Sequence, residues 1–74
     1  MNDTYIVEEL GTVEYYNLNL GYGFLVSQDG EKYFFHGSSI EGKVHRSVRP
    51  NQKVKFVPSR NEKGLYAHRV TVVW

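Results

Sequence analysis

Five stretches rich in β-branched and aromatic residues punctuate the chain, at about 10–17, 21–27, 32–36, 52–59 and 65–73. Polar or glycine-containing breaks separate them: Asn17–Leu20, Gln28-Asp29-Gly30-Glu31, the long stretch from Gly37 to Asn51, and Arg60-Asn61-Glu62-Lys63-Gly64. Short strands at this spacing, with no sustained helical period, predict an all-β barrel or sandwich. Asp29-Gly30 is a hairpin signal, because glycine accepts the positive φ of a tight turn. Pro58 donates nothing to a ladder, so the fourth strand should end there or lie at an edge. Tyr5–Leu10 fits either one amphipathic turn or a loose strand extension. Residues 1–9 read as an N-terminal extension and 10–74 as one domain.

Period-two alternation assigns faces. Tyr22 and Phe24 share one face of the second strand, opposite Gly23 and Leu25. Phe34 and His36 share one face of the third, opposite Tyr33 and Phe35. Leu25, Val54, Phe56, Val70 and Val72 are the natural core. A four-residue turn joins the second and third strands, so they should pair as a hairpin. Tyr22, Phe24, Phe34 and His36 then form one block of rings, which Tyr15 and Tyr16 could extend from the first strand. Bases stack on such rings. The competing reading makes this the barrel's inner face. Against it, the other face already supplies apolar residues, and His36 is awkward in a sealed core.

Composition adjusts this picture in a few places. The 74 residues suffice for one domain, and 41% apolar content suffices for a core. Eleven aromatics, six of them Tyr, are many for so small a core, so some should stand outside it. The absence of cysteine removes disulfides and thiolate metal sites and fits a reducing compartment. No apolar run has membrane-helix length, and the N-terminal residues lack the basic start of a secretory signal. The net charge of +1 conceals an asymmetry. Residues 1–31 carry six acids and no Lys or Arg, whereas residues 32–74 carry nine Lys/Arg and two acids. The halves either neutralise each other or leave a basic face for a polyanion.

Other chemistries find little footing. His36, His45 and His68 lack ligand spacing, so no metal is expected. The parity of His68 with Val70 suggests a histidine at the barrel rim. Ser38-Ser39 has no arguable base or oxyanion hole. Gly21-Tyr22-Gly23 lacks the helix and Gly-Lys-Ser/Thr of a phosphate loop. No catalytic residue and no cofactor are expected.

Gly21-Tyr22-Gly23-Phe24-Leu25-Val26 resembles the first ribonucleoprotein motif of cold-shock domains, K-G-F-G-F-I. Tyr33-Phe34-Phe35-His36, followed by Ser38 and Ile40, resembles the second, V-F-V-H-F-S-x-I. Glu14-Tyr15-Tyr16-Asn17 stands where that family has K-W-F-N. Gln52–Phe56 looks like its Q-x-V-x-F strand, and Gly64 to Thr71 looks like its G-x-x-A-x-N-V-T ending. The likeness runs without a gap from about Gly11 to Thr71. It implies a five-stranded antiparallel OB-type barrel and a cytoplasmic, monomeric, non-enzymatic module. Such modules bind single-stranded RNA or DNA, as RNA chaperones or antiterminators do. The stacking positions carried over are Tyr15, Tyr22, Phe24, Phe34 and His36. Asn17 matches the first-strand motif, His45 falls at another aromatic position, and Arg46 and Lys63 fall at basic ones.

Four departures bear on strength. Glu14 and Leu20 replace lysines, Gly37 replaces a stacking Phe, and Leu65 replaces a Pro. Weaker binding than in a typical member is expected, partly offset by Lys43, His45, Arg46 and Arg49. The alternative is a barrel of this type turned to a protein contact, or appended to a larger protein. The acidic N-terminal residues and the apolar ending Val72-Val73-Trp74 fit that alternative.

Overall fold

The computed structural model describes residues 7–42 and 48–73. Five strands form in chain order: β1 (Glu9–Asn17), β2 (Tyr22–Ser27), β3 (Lys32–His36), β4 (Lys53–Asn61) and β5 (Gly64–Val72). A 3₁₀ turn at Gly37–Ser39 follows β3. The strands close in the order β1-β2-β3-β5-β4, with β4 returning to β1. All pairings are antiparallel except the closure, where β3 and β5 run parallel through Phe34 and Tyr66. A parallel pair needs a crossover, and the long segment between β3 and β4 leads the chain into one. Ile40 anchors it by a parallel bridge to Val70. Leu10 already belongs to β1, so this end of Tyr5–Leu10 extends the strand, whereas Tyr5 and Ile6 lie outside the described residues. Among the described residues no helix is long and apolar enough to cross a membrane.

The turns follow from their residues. Asn17 Oδ1 accepts the Leu20 amide at 2.9 Å, and Gly21 leaves that turn at φ +79. Gly30 sits at φ +92, the left-handed geometry expected for Asp29-Gly30. The Asp29 carboxylate accepts from the Ser27 hydroxyl and from the Glu31 amide. These bonds, Ser27's first, hold its carboxyl below the usual range. The turn's gain is therefore complete above the unfolded carboxylate value and lost as pH falls through the lowered folded one.

The core is the inward face of every strand. Leu25, Phe35, Val54, Phe56, Ala67 and Val70 have no exposed surface, and Val13, Tyr33, Ile40 and Val48 complete the cluster. Tyr33 packs on Phe56 with ring centroids 4.9 Å apart, and burial, reinforced by Glu9, Asp29 and Glu31, raises its hydroxyl above the usual phenol range. Val72, expected in the core, is only partly buried and packs against its edge. Pro58 does not end β4. It pairs with Ala67, beyond the Lys53–Phe56 portion that β1 covers, so it lies where β4 has one neighbour.

Two bulges break the alternation. In β1 the register shifts between Val13 and Tyr15, so Val13 faces Leu25 while Tyr15 faces Phe24. In β5 a shift opposite Lys55/Val57, with Arg69 at φ +51, separates buried Ala67 from buried Val70 by three positions. A bulge reverses parity downstream. His68 is accordingly exposed on the outer face and does not share the inward side of Val70, as simple alternation had suggested.

Phe56→Ala should cost about 3–5 kcal/mol in urea unfolding, as for a buried Phe. Phe34→Ala should cost clearly less, and equal losses would place Phe34 in the core. Gly23→Ala should be as severe as Phe56→Ala, because its Cβ would lie 2.1 Å from the Tyr15 carbonyl oxygen.

Candidate nucleic-acid interface

The outward residues of β2 and β3 alternate with the core residues. Tyr22 and Phe24 point out between Gly23, Leu25 and Ser27, and Lys32, Phe34 and His36 point out between Tyr33 and Phe35. The hairpin register sets Tyr22 against His36 and Phe24 against Phe34. Tyr22, Phe24 and Phe34 are half-buried and His36 is exposed, so the rings lean on one another and still meet solvent. Their centroids lie 5.6 Å (Tyr22–Phe34), 5.9 Å (Phe24–Phe34), 6.3 Å (Tyr22–Phe24) and 5.8 Å (Phe34–His36) apart. Three of these four contacts are edge-to-face, the arrangement aromatic quadrupoles favour.

The β1 bulge brings Tyr15 to this face. It is 42% exposed and lies 6.5 Å from Tyr22 and 6.4 Å from Phe24. Asn17 donates to the Tyr15 hydroxyl at 3.1 Å, which ties that ring to the turn. Tyr16 does not extend the block. It turns to the other side and stacks on Phe35 at 5.7 Å, nearly parallel at 5°. Its hydroxyl lies 2.8 Å from where a Cβ on Gly37 would stand, so an uncrowded ring at position 37 requires Tyr16 to move. The inward-turned Tyr16 and the bare Gly37 are thus two halves of one packing arrangement.

Lys63 reaches the same surface from the β4–β5 turn, where it lines a cleft with Phe24, Phe34 and His36. His45 and Arg46, with Lys43, lie outside the described residues. Two residues of the surface, Lys32 and Tyr66, escaped the sequence reading, and a third, His68, was read only as a rim histidine on the side of Val70. Lys32 stands 5.8 Å above the Phe24 ring and is bound to Glu14 at 3.0 Å. Tyr66 and His68 extend the surface onto β5. Lys32 was available from its parity with Phe34. Tyr66 could have been placed outward from its small neighbour Ala67, but counting back from Val70 misplaces both because of the bulge. Leu20 is 61% exposed in the turn before β2. Among the described residues no three of His, Cys, Asp or Glu gather as metal ligands.

A closed five-stranded barrel that seals its core inward and turns a block of rings outward on β1–β3 is an OB-type module. The "Cold-shock" DNA-binding domain family matches residues 9–73, and the chain belongs to this cold-shock family. It is 41% identical over 63 residues to the major cold shock protein CspA of Pseudomonas aeruginosa, covering 85% of this chain and 91% of that one. It is 34% identical over 65 residues to the cold shock protein CapB of Pseudomonas syringae pv. tomato, covering 88% and 94%. The major cold shock protein of Micrococcus luteus is 36% identical over 63 residues, covering 84% and 94%.

Glu14 occupies the ammonium that stands over Phe24, so Glu14→Gln should release Lys32 for a phosphate. Oligothymidine binding should tighten at low salt, and its log–log salt slope should steepen by about 0.7. Stability should change by less than about 1 kcal/mol, as for an exposed pair. Adding Lys32→Gln should erase the gain, and persistence of the gain would assign it to general charge.

Proposed function

We propose that the protein is a single-stranded RNA- and DNA-binding module of cold-shock type, without a catalytic step. It stacks successive bases on the outward rings of Tyr15, Tyr22, Phe24, Phe34 and His36. The observation that carries this reading is the separation of faces: the barrel fills its core without these rings, which stand together, partly exposed, on one surface. Stacking contributes roughly 1–3 kcal/mol per base and tolerates any sequence, since every base has a π-face. Asn17 steadies Tyr15, and Lys63 offers a cation beside Phe24 and Phe34. His45 and Arg46, which fall in the sequence between β3 and β4, would add to the phosphate path. The binding unit is residues 10–74, with residues 1–9 as an extension. It acts as a monomer in the cytoplasm, as an RNA chaperone or antiterminator.

Affinity below that of a fully basic member follows from three local features. Glu14 engages Lys32, Leu20 gives a phosphate nothing, and Gly37 offers no ring. Edge-to-face contacts hold the remaining rings in place before ligand arrives, which limits the ordering cost of binding.

Phe24→Ala and Phe34→Ala should each weaken oligothymidine binding by about 1–3 kcal/mol. Glu14→Lys with Leu20→Lys should tighten it and steepen the salt slope by roughly 1–1.5, about 0.7 per new phosphate contact. That gain should vanish when Phe34→Ala is added. Equal affinity of the double-lysine variant with and without Phe34→Ala would overturn the stacking reading in favour of a face that serves a protein partner.

A further inference from the structure

The aromatic row continues past Phe34. Register pairs Tyr15 with Phe24, Phe24 with Phe34, and Phe34 with Tyr66 across the parallel closure. At strand spacings of about 4.7–4.9 Å, these four positions cross about 14 Å of sheet. Tyr66 is half-buried and braced by His68: their centroids lie 4.7 Å apart at 67°, and the hydroxyl lies 3.2 Å from Nε2. Both stand on the outer side, since Ala67 between them is fully buried. Tyr66 lines one cleft with Phe24, Phe34, His36, Lys63 and Leu65. The cleft measures about 530 Å³, within the roughly 300–1,000 Å³ of clefts that take small organic ligands. Its lining is more apolar than polar, which suits the flat face of a base better than a bare phosphate. Lys63 is part of that lining, and its backbone amide donates a hydrogen bond to Asn61 Oδ1 at 2.8 Å, which fixes the turn. The two ion pairs among the described residues, Lys32–Glu14 and Lys55–Glu8, do not involve Lys63.

We propose that Tyr66 is a further base-stacking position: it receives the nucleobase adjoining the one on Phe34, with Lys63 against the intervening phosphate. This inference rests on the nucleic-acid reading of the face. It places the bound strand across β1, β2, β3 and β5, turned away from Gly37, where no ring is available. The Tyr66 position accepts purine or pyrimidine alike, because the contact is with the ring face.

The test uses the full chain and oligothymidines of three to seven nucleotides, titrated at one low salt concentration. With the parent, affinity should rise with length until every stacking position is filled. Tyr66→Leu keeps an apolar side chain but removes the π-face. It should reach its plateau one nucleotide earlier and bind the longer oligonucleotides about 5- to 150-fold more weakly, the equivalent of one lost stack. Tyr66→Phe should match the parent. Independently of any variant, the Tyr66 ring-proton resonances of the parent should move upfield on saturation with the seven-mer and stay in place with the three-mer. If Tyr66→Leu follows the parent at every length, or the Tyr66 resonances do not move, the Tyr66 position is wrong. If Phe34→Ala nevertheless weakens binding in the same series, the broader reading stands. If Phe34→Ala has no effect at any length, the broader reading fails and takes this position with it.

Discussion

The close approach of β1 to β2 at Gly23 governs the outward surface. A Cβ at residue 23 would lie 2.1 Å from the Tyr15 carbonyl oxygen and 2.8 Å from the Tyr16 Cα, so only glycine admits the contact. The bulge at Glu14 makes that contact part of a change of parity. Before it, Val13 faces inward with Leu25. After it, Tyr15 joins Phe24 outside, and Tyr16 crosses to stack on Phe35. Without the bulge, adjacent tyrosines would exchange faces: the outer row would lose its β1 ring, and Phe35 would lose its cover.

The same residue that makes the bulge sets the electrostatics of the face. Glu14, the extra residue of β1, projects beside Lys32 and binds it over the Phe24 ring. Half-exposed pairs of this kind contribute little to stability. Their weight falls on what the cation does instead, since an ammonium held by a carboxylate is less available to a phosphate. Ring contacts, being apolar and sequence-tolerant, remain when a cation is withdrawn. In the proposed reading the surface leans on stacking more than on charge, and a shallow salt dependence of binding is the expected consequence.

Packing also decides where rings can stand. The Tyr16 hydroxyl fills the space beside Gly37, while the Gly37 amide donates to the Gly21 carbonyl at 2.7 Å. This corner of the barrel is closed by backbone and a phenol, and no stacking ring stands at residue 37. On the opposite side, the parallel closure of β3 onto β5 places Tyr66 level with Phe34. Barrel closure so carries the aromatic surface away from Gly37 and onto the last strand.

The five strands, their order along the chain and the hairpin block of Tyr22, Phe24, Phe34 and His36 were legible in the sequence. Alternation over short regular strands is a local property, and a four-residue turn fixes the hairpin register. The family, too, was legible, because motifs such as Gly21–Val26 and Tyr33–His36 are contiguous. Bulges and closure were not. Tyr16 was grouped with Tyr15, His68 was counted with Val70, and Tyr66 and Lys32 were passed over. Each of the tyrosine and histidine assignments hangs on one inserted residue, Glu14 in β1 or Arg69 in β5, whose place is set by the neighbouring strand. The β3–β5 pairing joins residues about thirty positions apart. It is parallel because the barrel must close, and no local pattern in either strand announces that direction. The sequence alone thus determined which residues could alternate. Only the closed barrel decided where the alternation slips, since a slip is fixed by the partner strand's hydrogen bonds and by the volume the core must fill.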